Sequence, residues 1–63
     1  MFKEYDRVKT LVDKEGFVAG SIGVVVGLYS TGPACEVEIW DNNNYPVDVV
    51  TYEYSEIKLI DST

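Results

Sequence analysis

The segment Ile22-Gly23-Val24-Val25-Val26-Gly27-Leu28-Tyr29 constrains this chain more than any other. Three consecutive β-branched residues, stiff at χ1 in a helix, stand between two glycines, which are themselves poor helix formers, so the segment reads as a strand. Alternation along it puts Ile22, Val24, Val26 and Leu28 on one face, read here as the core face, and Gly23, Val25, Gly27 and Tyr29 on the other. Glycines leave that second face thin, which suits a strongly bent strand of a small barrel or the close approach of another backbone. The rest of the chain leans the same way, with ten valines, four isoleucines and four threonines against two alanines and three leucines.

Residues 5–12 alternate as well, Val8, Thr10 and Val12 opposing Arg7, Lys9 and Leu11, and form a predicted first strand. The bend Gly20-Ser21-Ile22-Gly23 is backbone geometry and not a phosphate loop, since no lysine follows it and no helix begins there. Residues 22–29 and 34–40 flank the turn Ser30-Thr31-Gly32-Pro33 and predict a hairpin, with Cys35, Val37 and Ile39 opposed to Glu36, Glu38 and Trp40. Beyond the polar turn Asp41-Asn42-Asn43-Asn44, a fourth strand spans about residues 47–52. Its inward face stays open between Val47, Val49 and Thr51 on the one hand and Val50 and Tyr52 on the other, the second choice turning Asp48 inward or setting it at the barrel rim. Glu53-Tyr54-Ser55-Glu56 has the length of one helical turn, and residues 57–60 close the pattern with Ile57 and Leu59 on one face.

The expected fold is therefore all-β: a single domain over residues 1–63, built as a small five-stranded, partly open antiparallel barrel with one short helical turn before the last strand. Its predicted core is Val8, Ile22, Val24, Val26, Val37, Ile39 and Leu59, with Phe2, Tyr5 and Phe17 packed against the barrel ends.

Chemistry is bounded by what the chain carries. It has no histidine and one cysteine, Cys35, so neither a disulfide framework within the chain nor a Cys/His metal site is expected, and no cofactor is implied. A nucleophilic Cys35 would need a base that is not there, and its place beside Val37 and Ile39 reads as a small buried apolar residue. Glu36 and Glu38 share a strand face and meet the minimum for paired-carboxylate catalysis, yet a domain this small lacks a deep cleft to separate their pKa values. They read as a solvated face. The oxygens of Asp41, Asn42, Asn43, Asn44 and Asp48 are of a type calcium accepts, but the EF-hand spacing is missing and a hairpin turn is expected. No catalytic residue and no metal ligand is assigned, and the expectation is a non-enzyme.

Net charge is −6, from eleven acidic and five basic residues, with Lys3, Arg7, Lys9, Lys14 and Lys58 scattered among the carboxylates. That balance argues against nucleic acid as a partner. No apolar run reaches the roughly 20 residues of a membrane span, and Met1-Phe2-Lys3-Glu4-Tyr5-Asp6 lacks the features of a signal peptide, so a cytoplasmic location with no membrane partner is expected.

The phrases Val18-Ala19-Gly20-Ser21-Ile22-Gly23-Val24-Val25, Cys35-Glu36-Val37-Glu38-Ile39 and Val49-Val50-Thr51-Tyr52-Glu53, followed by a last apolar strand, resemble a family of small bacterial SH3-like barrel proteins of unknown function. Genes for that family often stand beside toxin or nuclease-like genes. The resemblance thus implies an SH3-like barrel and the role of an immunity protein or antitoxin, with a cognate toxin as its protein partner. This chain departs from the family pattern at Cys35, where an aromatic residue is common, and at Asp48, where a small or apolar one is. The alternative is a KOW-like nucleic-acid or ribosome-associated barrel, which the fold suits and the charge does not.

A partner surface is expected where aromatic and acidic side chains coincide. Alternation sets Glu36, Glu38 and Trp40 on one side of the third strand, and pairing of the third and fourth strands would bring Asp41, Tyr45 and Asp48 beside them. Trp40 is the expected anchor, because a large rigid ring supplies contact area at little entropic cost.

Overall fold

A computed structural model describes residues 2–61. Five strands follow one another: β1 (Arg7–Thr10), β2 (Ile22–Leu28), β3 (Ala34–Trp40), β4 (Pro46–Glu53) and β5 (Ile57–Asp61), with a 3-10 turn at Tyr54–Glu56 just ahead of β5. They form a single antiparallel sheet in the order β4-β3-β2-β1-β5. The all-β expectation, the five strands and the late helical turn are all present. The sheet is not closed: β4 and β5 are its two free edges.

One face of this sheet is buried. Val8 of β1, Val25 of β2, Cys35, Val37 and Ile39 of β3, Val50 and Tyr52 of β4 and Ile57 of β5 make the core, so every strand contributes to it. Among the described residues no helical layer covers that face, and the partly buried Phe2, Val12, Phe17 and Tyr54 pack against the core. Phe2 and Tyr54 meet ring to ring at 5.2 Å. Tyr5, expected with Phe2 and Phe17 at the barrel ends, is exposed instead, on a backbone with φ of 74°.

The core face of β2 is the opposite of the one expected. Gly23 lies across from Val8 on one side and Ile39 on the other, and Val25 lies across from Val37, so Gly23 and Val25 point inward while Ile22 and Val24 point out and are half-buried. The reason is crowding on the buried face. A Cβ on Gly23 would stand 2.6 Å from Val37 Cγ1 and 2.7 Å from the Glu38 carbonyl oxygen, closer than any real Cβ packs. Counting apolar residues favours the Ile22 face, but the inner face admits only what fits between β1 and β3. At Val26 the register slips, and beyond this bulge Gly27 lies opposite Glu36 and Leu28 opposite Cys35, reversing the parity of the strand. Val26 accordingly is half-buried rather than core.

Register also settles the inward faces of β4 and β5. Val50 and Tyr52, opposite Val37 and Cys35, are the inward residues of β4; Val47, Val49 and Thr51 are exposed. Leu59 is opposite Val8 and has the inward parity, yet it is 43% exposed because β5 is an edge strand, and Ile57 is the residue of that strand that enters the core.

The connection between β1 and β2 is a small hairpin of its own. Glu15 and Gly16, both at positive φ, form the two-residue turn, and Lys14 and Phe17 exchange backbone hydrogen bonds of 2.9 Å on either side of it. The buried Thr10 hydroxyl fixes its base, donating to the Val18 carbonyl at 3.2 Å and accepting from Ser21 N–H at 3.0 Å. Its tip is fixed to the far end of the chain: Lys14 Nζ donates to Glu56 Oε1 at 2.9 Å while lying 5.3 Å above the Tyr52 ring. The same Glu56 oxygen accepts Glu53 N–H at 2.8 Å and so caps the 3-10 turn.

Two outcomes follow from these contacts. Gly23→Ala should cost about 1–3 kcal/mol, the scale of overpacking a tight core, whereas Gly27→Ala, whose Cβ would meet Glu36 at an ordinary 3.7 Å, should leave the thermal midpoint nearly unchanged or raise it. Equal effects in paired melting curves would place the close approach elsewhere. The Lys14 hydrogen bond, and after it the Glu53 N–H, hold the Glu56 carboxyl below its usual 4.5. Folding therefore favours ionised Glu56, a contribution intact above pH 4.5 and lost as the pH falls through the lower folded value. Glu56→Gln should flatten the acid limb of a plot of Tm against pH, and an unchanged limb would show the pair to be idle.

Candidate interaction surface

The outer face of β3 carries Glu36, Glu38 and Trp40, side by side as alternation requires and all half-buried. Glu36 is held from both flanks: the Thr51 hydroxyl on β4 lies 2.9 and 3.0 Å from its two oxygens, and the Tyr29 hydroxyl donates to it from the end of β2. Glu38 accepts from Trp40 Nε1 at 3.1 Å, so carboxylate and indole form one unit. These partners make the Glu36 and Glu38 side chains ordered features of the face rather than freely rotating surface charges. Each is tied to a different neighbour, Glu36 to Thr51 and Tyr29 and Glu38 to Trp40.

Past Trp40 the chain turns on a single carboxylate. Asp41 Oδ1 accepts Asn43 N–H at 2.8 Å and Tyr45 N–H at 3.0 Å, while Asn44, at φ of 65°, donates its N–H to the Asp41 carbonyl at 3.0 Å. That oxygen is thus committed to the backbone, as expected of a hairpin turn. Tyr45, 68% exposed, projects from the end of the turn beside Pro46, which is the residue opposite Trp40.

Asp48 is not beside Glu36 and Glu38. It stands opposite Ile39, so its side chain has the parity of the core and emerges at the rim of the sheet, where Oδ1 accepts Val49 N–H at 2.8 Å. The position across from Glu38 belongs to Val49. Of the six expected site residues, then, the register gathers Glu36, Glu38 and Trp40 on one face, sets Asp41 and Tyr45 at its end and sends Asp48 to the other side. The shift arises at one point, the irregularity between Ile39 and Trp40 that passes over Val47.

Several residues of this face were not singled out by sequence. Ile22 lies opposite Trp40 and Val24 opposite Glu38, giving the acidic strip an apolar border. Next to that border, a shallow open groove of about 570 Å³ is lined by Arg7, Ile22, Val24, Trp40, Asp41 and Asn42 among others. On the far side of it, β1 and β5 bring together cations that are scattered in sequence: Lys9 lies opposite Lys58, and Arg7 opposite Asp61, with 3.6 Å between their charged groups. The outer face therefore runs from basic through apolar to acidic. The apolar part of it exists because Ile22 and Val24, core residues by alternation alone, face outward on β2.

Cys35 is fully buried, opposite Tyr52 on β4 and Leu28 on β2. Burial, helped by the nearby Glu36 charge, pushes its thiol up to about 11. The sulfur is thus a packing atom and stays protonated near neutrality. Among the described residues no helix is long and apolar enough to cross a membrane, and no three acidic or cysteine side chains are placed to hold a metal ion.

Comparison of the chain with protein families, with curated proteins and with solved structures found no match. The reading of this surface accordingly rests on its own geometry. For the thiol, iodoacetamide should label Cys35 no faster than the domain opens, with the rate rising in denaturant along with unfolding. Labelling of native protein at the rate of a free cysteine would put the sulfur at the surface.

Proposed function

We propose that this chain is a non-enzymatic protein-binding module, an SH3-like barrel acting as an immunity protein or antitoxin, and that it binds and neutralises a cognate bacterial toxin. The strand order β4-β3-β2-β1-β5 and the 3-10 turn ahead of β5 support the SH3-like reading of the sheet. The observation that carries the binding role is the Glu38–Trp40 unit on the outer face of β3, bounded by Ile22 and Val24 and continued by Asp41 and Tyr45. A half-buried indole held by a carboxylate is a preformed anchor. Little side-chain entropy remains to be lost on docking, and apolar neighbours exclude water around it.

Charge selects the kind of partner. With a net charge of −6, the module attracts a basic surface from a distance, and a toxin that acts on nucleic acid presents such a surface at its active site. Glu36 and Glu38 would meet it as phosphate-like anions. Asp48 belongs to a different side of the sheet and is left out of this face. Cofactors have no part in the proposal, and neither nucleic acid nor membrane is a partner in it.

One observation favours the alternative of a KOW-like, nucleic-acid-binding barrel: Arg7, Lys9 and Lys58 share the outer face of β1 and β5. The two readings use opposite ends of the same face and are separable by mutation. Against the toxin encoded in the neighbouring gene, Trp40→Ala with Glu38→Lys should weaken binding by about 2 kcal/mol or more, the usual scale of an interface hot spot, with the thermal midpoint little changed. Unaltered affinity in a folded double variant would move the site elsewhere. A shift of duplex DNA or RNA at physiological salt, lost in Lys9→Glu with Lys58→Glu, would favour the alternative instead.

A further inference from the structure

The two free edges of the sheet differ in how they are protected. β5 carries Lys58, and a bulge between Arg7 and Val8 in its pairing with β1 twists it out of regular register. Strand β4 has its proline and its register slip at one end, at Pro46 and Val47, while from Asp48 to Glu53 it has no lysine or proline and its register against β3 is unbroken. Over that stretch the one protecting device is Asp48, a charge with the parity of the core, and an edge this regular is a template for another strand once that carboxylate is displaced.

A cleft of about 310 Å³ runs along this edge. One wall is Asp48, Val49, Val50 and Thr51 and the other is Lys14 and Glu15 of the β1–β2 hairpin. Four consecutive residues of β4 line it, so it opens on the backbone edge of the strand and not on either face alone. Among the described residues no backbone hydrogen bond joins the hairpin to β4. The edge is not empty of hydrogen bonding, however: Val49 N–H is taken by Asp48 Oδ1 at 2.8 Å. A side-chain carboxylate there fills the place that the carbonyl of an added strand would fill, and Thr51, two residues on, turns its N–H to the same side.

We propose that the β4 edge receives an extended segment of another protein by strand addition, and that the segment carries lysine or arginine at alternate positions. The incoming carbonyl takes the Val49 N–H, and the released Asp48 carboxylate, with Glu15 across the cleft, faces the basic side chains. Lys14 does not oppose them, because its ammonium is held by Glu56. A second copy of this chain is the poorer occupant. Pairing β4 with β4 would bring two Asp48 and two Glu15 side chains into one cleft, between molecules each carrying −6. The inference rests on the reading of the chain as a binding module, but it uses an edge separate from the Glu38–Trp40 face.

The test is a titration of the ¹⁵N-labelled full chain with a capped heptapeptide alternating lysine and valine. Val49 and Thr51 amides should shift most, and their exchange with solvent should slow roughly tenfold or more at saturation. A peptide N-methylated on alternate backbone nitrogens should bind roughly tenfold more weakly or worse, since its edge donors are gone. Replacing the lysines by glutamates should abolish binding to the natural chain and restore it to Asp48→Lys. Shifts centred on Glu38 and Trp40, with Val49 and Thr51 exchange unaltered, would overturn strand addition while leaving the outer-face reading intact. Equal affinity for the methylated peptide, or no binding up to millimolar concentration, would also overturn it. Protection of the same amides by protein concentration alone would assign the edge to a second copy.

Discussion

The approach of β2 to β3 at Gly23 governs the arrangement of this sheet. Val37 Cγ1 and the Glu38 carbonyl already occupy the space that a side chain there would need. Because only hydrogen fits there, β2 can pair closely beside β3 with Gly23 facing inward, and Val25 is carried into the core opposite Val37. The same contact expels Ile22 and Val24 to the outer face, where they border Trp40 and Glu38. One small residue therefore fixes both the inner packing and the apolar seam of the outer surface. The bulge at Val26 then reverses the strand so that Gly27 can pass beneath Glu36 without crowding it.

That seam gives the outer face a polarity along the strand order. Cations on β1 and β5, aliphatic side chains on β2 and carboxylates on β3 follow one another across the sheet, and Trp40 stands where the last two meet. Each acidic side chain on β3 is oriented by a donor from a neighbouring residue or strand, Thr51 and Tyr29 for Glu36 and the indole for Glu38. Such donors set the direction of the charge at modest energetic gain, as is usual for exposed polar contacts. Direction is what matters for complementarity with a partner.

The sequence was informative where one rule acted alone. Period-two alternation located all five strands, β3 to the residue, and placed Val8, Val37 and Ile39 in the core. Asx chemistry identified the turn at Asp41, and the solitary Cys35 was legible as a buried apolar residue. It was uninformative where two rules competed. On β2, hydrophobicity pointed one way and steric room the other, and room depends on residues that are distant in sequence. Alternation tied Asp48 to Val50 and Tyr52, but which set of β4 faces inward depends on the pairing with β3, which passes over Val47 between Trp40 and Ile39 and is a property of the pair of strands rather than of either one. The Lys14–Glu56 contact had no local signal at all, since its two ends are 42 positions apart.

That separation bears on the order in which the fold assembles. The β2-β3-β4 part of the sheet is a meander whose strands meet their chain neighbours through short turns, so little loop entropy opposes their pairing. β5 must instead return to β1 from the far end of the chain, and the Lys14 ammonium reaches Glu56 only when it has done so. In a nucleation picture the meander is expected to form first and the return of β5 to be a late step. Interactions made after the rate-limiting barrier act on the lifetime of the native state and not on how quickly it is reached. The ion pair that ties the β1–β2 hairpin to the 3-10 turn thus serves as a latch on unfolding, holding shut a sheet whose edges are never joined.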